Sequence, residues 1–259
     1  MREERITQAK AGKETRFWEV DAARGVAILM MVLYHFMYDL DTFGGYNIES
    51  TSGFWARFAD MTAFSFVFLV GVSLAISYAR SSARSKRPLL GKYLWRGARI
   101  FGYGMVLTLA TWVLGMGVII FGILHLIGAS IILAYPFLQF RWPNLFAGVF
   151  FIAAGWYLQT LNISTETPWL LPLGVVPEGL FMPDYRPLLP WFGVVLLGAF
   201  AGSLVYSENK RVGGVAWSTP ATARPLMFLG RYSLFIYFIH QPILVGLLAA
   251  SGIVGLGAL

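Results

Sequence analysis

The sequence contains no cysteine and few charged residues. The absence of cysteine excludes disulfides, thiolate metal ligands and a cysteine nucleophile. Only 13% of the 259 residues are charged, whereas 57% are hydrophobic. A soluble domain of this length needs more polar surface to cover itself, and several apolar runs approach the about 20 residues that a helix needs to cross a bilayer. The composition predicts an integral, multi-pass protein of the cell membrane, in contact with lipid and with no nucleic-acid partner.

Seven apolar segments have the length and composition of transmembrane helices. We expect an all-α fold, a polytopic membrane helix bundle, in which residues 1–16 form a cytoplasmic segment and residues 17–259 a single transmembrane domain. The connector 162–186 contains several prolines and cannot form a regular helix. The predicted spans are 20–40, 58–79, 97–115, 119–139, 144–161, 187–206 and 226–248.

The basic residues lie almost entirely on one side of this topology. With seven spans and a cytoplasmic N-terminus, all but three of the 20 lysines and arginines fall at the cytoplasmic ends of the helices, whereas acidic residues accumulate in the outer connectors. Positive charge marks the cytoplasmic loops of membrane proteins. The distribution therefore predicts an N-terminus inside and a C-terminus outside.

Each of the three histidines falls within a predicted span. Helical rise places His35 about 16 Å beyond Arg24 and His240 about 13 Å beyond Arg231, and His125 comes a turn or two after the outer start of its span. All three are therefore expected in the outer half of the membrane. Ionisable groups in a bilayer are costly and usually face the bundle interior, where they are functional candidates.

Asp39 lies four residues after His35 and shares its helix face. A carboxylate in this position can fix the tautomer of the imidazole and raise its basicity. An imidazole that titrates near neutrality and is oriented by a carboxylate is what a general base needs. We therefore predict that His35 and Asp39 are catalytic.

The histidines also have other interpretations. An intramembrane histidine can simply hydrogen-bond a neighbouring helix, which for His125 or His240 alone explains the residue as well as a function does. Three histidines with Asp39 could hold zinc, although no compact HxxH or HxxxH pair is present. Two facing histidines could ligate haem. We expect no metal.

Two basic features lie on the predicted inner side. In "EVDAARG", Asp21 suits the helix dipole and Arg24 obeys the positive-inside rule, or Arg24 faces the bundle and binds an anionic ligand. The cluster from Arg80 to Arg99 is explained by topology and anionic lipid, or it receives a phosphate-bearing cofactor.

Four segments together resemble the prokaryotic relatives of the heparan-alpha-glucosaminide N-acetyltransferase catalytic domain, within the transmembrane acyltransferase superfamily. Arg24 followed by His35 matches the arginine and histidine that mark the first core helix of that superfamily. The resemblance covers most of residues 17–245, although the chain has fewer spans than the larger members and no sizeable extracytoplasmic domain. The segments are "DAARGVAILMMVLYHFMYDL", "FSFVFLVGVSLAIS", "FGILHLIGASIIL" and "FLGRYSLFIYFIHQPIL".

The resemblance implies transfer of an acetyl group from cytoplasmic acetyl-CoA to an amine or hydroxyl of a sugar or glycan-like acceptor at the outer side, with His35 as the catalytic residue. Direct transfer and an acyl-histidine intermediate both stay open, as do N- or O-acylation, the acceptor and the oligomeric state. We expect Arg24, Arg96, Arg99 and Arg231 to bind the cofactor, and His125, His240, Tyr38 and Tyr237 to bind the substrate or stabilise an oxyanion.

Two other classes of function are consistent with the same residues. A proton-coupled transporter of a small or lipid-linked solute could use the histidines as a relay, although the sequence shows no internal repeat. A structural membrane subunit explains the aromatic residues as interfacial belts, but it gives no reason for three intramembrane histidines.

Overall fold

The computed structural model describes residues 16–84, 89–115, 117–161, 163, 165, 168–180, 182, 184–207, 210–212 and 218–254. The segment 1–15, most of the predicted cytoplasmic terminus, lies outside them. So do Lys86, Arg87 and Glu166, which entered the predicted charge distribution. The described α-helices are α1 (Trp18–Thr42), α2 (Gly53–Arg84), α3 (Leu90–Val113), α4 (Ile123–Ala134), α5 (Trp142–Thr160), α6 (Leu188–Val205), α7 (Arg224–Arg231) and α8 (Ser233–Ala250).

The fold is helical, as the sequence predicts. Two short 3-10 helices, Pro168–Leu173 and Ala221–Ala223, occur in connectors. The regular β structure of the described residues is one antiparallel pair, Tyr206–Ser207 with Lys210–Arg211. By length and apolar composition, the four helices α1, α2, α6 and α8 can each cross a membrane.

Two of the seven predicted spans differ in their helical structure. The segment 119–139 contains only the twelve-residue helix α4, about 18 Å long at 1.5 Å per residue, because extended backbone at Gly122 delays its start. The segment 226–248 is divided between α7 and α8 at Tyr232, whose φ of −98° and ψ of 16° are not helical. The hydropathy of a segment indicates that it is apolar, whereas the backbone dihedrals determine where its helix begins and ends.

The described chain forms two compact units. One combines the residues up to Ala59 with those from Ser218 onwards and contains α1, α7 and α8; the other begins at Asp60 and contains α3 to α6. Helix α2 begins in the first unit and continues in the second. The expectation of a single domain stays a prediction.

In the first unit, α1 and α7 pack backbone to backbone through two glycines. A Cβ atom on Gly25 would overlap the carbonyl of Leu226, and one on Gly230 would overlap the carbonyl of Asp21. On α1, Ile28 next to this contact is 1% exposed. Small residues allow this approach where no large side chain could be accommodated.

In the second unit, glycines also allow close backbone contact where helices cross. Gly97 on α3 faces Gly128 on α4, and Gly148 on α5 faces Gly193 on α6. The core around these contacts is apolar and fully buried, with Leu196 at 0% exposure. Close helix packing therefore rests on glycine in both units.

We predict that Gly230→Ala destabilises the protein. The added methyl group meets the backbone of α1, which cannot move aside, and overpacking of this kind typically costs about 1–3 kcal/mol. The melting temperature of the purified protein in detergent should fall by several degrees. Gly246→Ala in α8 is the matched control, because nothing lies within 4 Å of its added Cβ. Equal melting temperatures for the two variants would contradict the packing argument.

Candidate functional site

The imidazole of His35 is fixed by its own helix. Its Nδ1 lies 2.9 Å from the carbonyl oxygen of Met31, one turn earlier on α1. A carbonyl can only accept a hydrogen bond, so Nδ1 carries the proton and donates it. In the neutral ring, Nε2 then holds the lone pair. His35 is thus in the tautomer that can take up a proton at Nε2.

His240 has the same arrangement on α8. Its Nδ1 donates to the carbonyl oxygen of Tyr237 at 2.7 Å. The rings of His240 and His35 are in edge-to-face contact, with centroids 4.7 Å apart and planes at 83°. This contact leaves no space for a haem between the two rings. The structure therefore brings together two histidines that lie more than two hundred residues apart in the sequence.

Asp39 does not orient His35 in the way the sequence predicts. Side chains on a helix lean towards its N-terminus, so the His35 ring turns back to the Met31 carbonyl and away from the following turn. The Asp39 carboxylate is fully buried and accepts a 2.6 Å hydrogen bond at Oδ1 from Nε2 of Gln241. Asp39 therefore joins α1 to α8, next to the histidine pair.

Gln241 is a site residue that the sequence analysis missed. The signal that could have revealed it is a polar amide directly after His240, within an apolar helix, because such groups in a membrane helix usually meet another helix. Pro242 follows and lacks an N–H group, so the helical bond ladder is interrupted at this point of α8.

The two predicted tyrosines lie beside the histidines. The ring of Tyr237 is 5.8 Å from that of His240. The ring of Tyr38 is 6.3 Å from that of Tyr34, which makes an edge contact with His35 at 5.5 Å. Both tyrosines belong to the first unit, as the histidine pair does.

Arg24 and Arg231, two predicted cofactor-binding residues, meet at the buried carboxylate of Asp21. Arg24 Nη1 donates to Oδ1 at 3.1 Å, and Arg231 Nε donates to Oδ2 at 3.4 Å. Arg16 forms a third ion pair with Oδ2 at 3.6 Å. Glu19 is a second acidic residue in the first turn of α1, so three arginines outnumber two carboxylates at this N-terminal and electropositive end of the helix.

The other two predicted cofactor-binding residues, Arg96 and Arg99, lie on α3 in the second unit. They are three residues apart and share one side of the helix. Arg99 is exposed and Arg96 is half-buried. The neighbouring Tyr93 is fully buried, with its ring 5.3 Å from that of Tyr135.

His125 belongs to the second unit and is engaged at both ring nitrogens. The backbone N–H of Gly122 donates to Nδ1 at 3.2 Å, so the proton is on Nε2, which lies 3.4 Å from Thr108 Oγ1. Phe101 contacts the ring edge to face at 4.9 Å, and a Cβ atom on Gly104 would press against it. This geometry favours the structural interpretation of His125, as a cap at the start of α4.

The end of the connector before α6 contacts the same end of α4. Asp184 Oδ2 accepts a hydrogen bond from the backbone N–H of Ile123 at 3.3 Å. Tyr185 donates its hydroxyl to the carbonyl of Leu171 at 2.6 Å, and burial raises the pKa of Tyr185 to about 12, which keeps the phenol neutral at physiological pH. Asp184 and Tyr185 therefore have defined positions near the start of α4.

In the part of the chain that the structure describes, no group of three or more histidine, aspartate or glutamate side chains is arranged to hold a metal ion. The histidine pair and Asp39 do not form such a group, although the sequence left zinc open.

We predict that His125→Ala destabilises the protein more than His35→Ala does. The first change removes a fully buried ring and its two hydrogen bonds, and truncation of a buried aromatic ring typically costs about 3–5 kcal/mol. His35 is only partly buried and holds no other element in place by a hydrogen bond. Thermal unfolding of the two purified variants measures the difference. A larger loss for His35→Ala would contradict the role of His125 as a cap.

Comparison with protein families gives one match. The family model described as heparan-alpha-glucosaminide N-acetyltransferase, catalytic, matches residues 16–242. The match confirms the resemblance carried by the four sequence segments, and it includes both the Asp21 cluster and the histidine pair with Gln241. Comparison with curated proteins and with solved structures gave no match.

Proposed function

The chain belongs to the heparan-alpha-glucosaminide N-acetyltransferase catalytic family, and from this premise we propose that it is a membrane acetyltransferase in which His35 is the general base. It transfers the acetyl group of acetyl-CoA to an amine or hydroxyl of a sugar or similar acceptor. The observation that carries this proposal is the tautomer of His35, with Nδ1 bound to Met31 and Nε2 able to accept a proton.

The reaction needs one acyl transfer and two proton transfers, one onto His35 and one from it. The acceptor nitrogen or oxygen attacks the thioester carbonyl carbon while His35 Nε2 takes its proton. The C–S bond then breaks, the acetyl group stays on the acceptor, and the CoA thiolate leaves and takes up the proton that His35 Nε2 holds. The contact with His240 supports this role, because it restrains the His35 ring from the side of α8.

The Asp21 cluster suits the charged end of the donor. Arg24, Arg231 and Arg16 exceed the charge of Asp21 at a helix N-terminus, an environment that favours phosphate groups. Arg24 precedes His35 by eleven residues on α1, about 16 Å along the helix axis. The nucleotide would bind at the cluster while the extended arm carries the thioester towards His35.

The topology follows from the same arrangement. We place the N-terminus and the Asp21 cluster on the cytoplasmic side, in keeping with the distribution of basic residues, and the His35 end of α1 towards the outer side. All seven apolar segments would lie within the membrane, the short helix α4 included. Arg96 and Arg99 belong to the cytoplasmic side in this topology, and their part in cofactor binding stays a prediction.

The oxyanion that forms at the thioester carbonyl needs hydrogen-bond donors. Tyr38 and Tyr237 are our candidates, because the ring of Tyr237 contacts that of His240 and the ring of Tyr38 contacts that of Tyr34, which in turn contacts His35. His125 is a weaker candidate, since its Nε2 proton is directed at Thr108.

We predict that His35→Gln abolishes acetyl transfer and leaves CoA binding intact. Glutamine keeps the polarity of the side chain but cannot take up a proton, and loss of a general base typically lowers the rate by about 10²–10⁴-fold. Release of the CoA thiol from acetyl-CoA, measured with the purified protein and an acceptor mixture, gives the rate. Calorimetric titration with CoA checks binding.

Full thiol release by a folded His35→Gln protein would refute the base assignment. If the wild type binds no CoA but accumulates a solute in proteoliposomes under a pH gradient, the acetyltransferase proposal fails in favour of a proton-coupled transporter.

We also predict that Arg231→Ala weakens CoA binding. Loss of a hydrogen bond to a charged phosphate is worth about 1.5–3 kcal/mol, or about 10–100-fold in the dissociation constant. Arg57→Ala is the matched control, an exposed arginine in the same unit that lies on the predicted outer side. The effect should shrink at high salt because the binding is ionic. Equal CoA affinity for the two variants would contradict donor binding at the Asp21 cluster.

A further inference from the structure

A cavity of about 140 Å³ lies in the second unit, among α2, α5 and α6. One turn before it, α2 and α6 are in backbone contact, because a Cβ atom on Gly71 would overlap the carbonyl of Val195. The next residues on these helix faces are small and leave the space unfilled. They are Ala75 and Ala79 on α2, and Ala199 and Ser203 on α6. About 10–15 Å³ holds one water molecule, so the cavity has room for a group of several heavy atoms.

The inner wall of the cavity includes a buried amide. Asn144, in the first turn of α5, lines the cavity and is 2% exposed. Its Nδ2 donates to the carbonyl oxygens of Phe137, at 3.0 Å, and of Phe140, so both amide hydrogens are used. Its Oδ1 is turned away from these carbonyls and has no hydrogen-bond partner in the described part of the chain. A buried oxygen of this kind is costly unless a donor reaches it.

The mouth of the cavity is formed by half-buried residues. Among them, Ser203 donates its hydroxyl to the carbonyl of Phe200 at 2.7 Å, which leaves the lone pairs of Oγ as acceptors. A ligand that enters the cavity therefore meets accepting oxygens, and it must supply O–H or N–H groups. The residues of the mouth are Tyr78, Ala79, Leu138 and Ser203.

The surroundings of the mouth favour an anion at the depth of lipid head groups. Arg141 precedes Asn144 by three residues, at the N-terminal and electropositive end of α5. Arg211 is paired with Tyr206, which lines the cavity, in the antiparallel β pair. Arginine and a helix N-terminus both suit a phosphate group. Trp142, the exposed first residue of α5, is of the type enriched where membrane helices meet the head groups.

We propose that this cavity binds the head group of an anionic phospholipid of the phosphatidylglycerol type. The phosphate lies towards Arg141 and the N-terminus of α5. The glycerol enters the cavity, where its hydroxyls donate to Asn144 Oδ1 and Ser203 Oγ. Basic pockets between membrane helices are suited to anionic head groups. The position beside Trp142, level with the ends of α5 and α6, favours a lipid over free glycerol phosphate. No residue of the first unit takes part, so the inference does not depend on the proposed function.

The test compares two lipids of equal charge, phosphatidylglycerol and phosphatidylethanol, of which the second lacks the head-group hydroxyls. They are titrated into the delipidated protein in detergent, and native mass spectrometry counts the bound molecules. We expect one phosphatidylglycerol per chain, with a dissociation constant about tenfold below that of phosphatidylethanol, as two hydrogen bonds would give. Free sn-glycerol 3-phosphate at the same concentration should not displace it.

Ser203→Leu fills the cavity and should remove the preference for phosphatidylglycerol. Ser65→Leu on α2 is the matched control, because its hydroxyl is likewise bonded to its own helix, at Met61, and does not line the cavity. This variant should bind phosphatidylglycerol as the wild type does. Ala79→Leu fills the cavity from α2 and takes the place of Ser203→Leu if that variant does not fold.

Equal affinity of the wild type for the two lipids, or an unchanged preference in a folded cavity-filling variant, would overturn the inference. Binding of free glycerol phosphate without binding of the lipid would overturn it as well. A raised KM for acetyl-CoA in Ser203→Leu, with lipid binding unchanged, would assign the cavity to the donor instead.

Discussion

An ionisable group inside an apolar helix must find its partner within the protein, and this constraint organises the first unit. Asp21, Asp39 and His35 all lie on α1, where lipid provides no hydrogen-bond or charge partner. Asp21 is neutralised by arginines from α1, α7 and the segment before α1. Asp39 is bound by Gln241 of α8. The polar groups of α1 thereby join it to α7 and α8, in addition to the close glycine contacts with α7.

The two ends of α1 have different chemistry as a result. At its first turn, excess positive charge and the helix dipole combine to favour phosphate. Eleven residues beyond Arg24, the helix presents a histidine in base-competent form, beside acceptor oxygens. In the function we propose, the charged head of the donor binds at the first of these places and its thioester reacts at the second.

The histidines show why residue type alone does not identify a site. His125 and His35 are both intramembrane histidines by sequence, and the same physical argument applies to each. In the structure, the His125 ring is enclosed by Phe101 and bonded at both nitrogens, as a structural residue would be. His35 uses one nitrogen for its own helix, and its other nitrogen holds the lone pair that the proposed general base needs. The distinction lies in the environment of the second nitrogen.

Composition and charge by themselves determined that this is a helical protein with membrane-spanning segments. A long apolar segment favours lipid, and in lipid a helix pairs the backbone N–H and C=O groups within the segment itself, so both properties depend on local sequence. They also drew attention to His35, Asp39 and His240, since polar residues are conspicuous in apolar runs. Only the tertiary structure decided that His35 meets His240, that Asp39 bonds to Gln241, and that the last segment breaks at Tyr232. Those outcomes depend on which helix faces lie together and on backbone dihedrals. Contacts between residues two hundred positions apart produce no local sequence pattern from which they could be predicted.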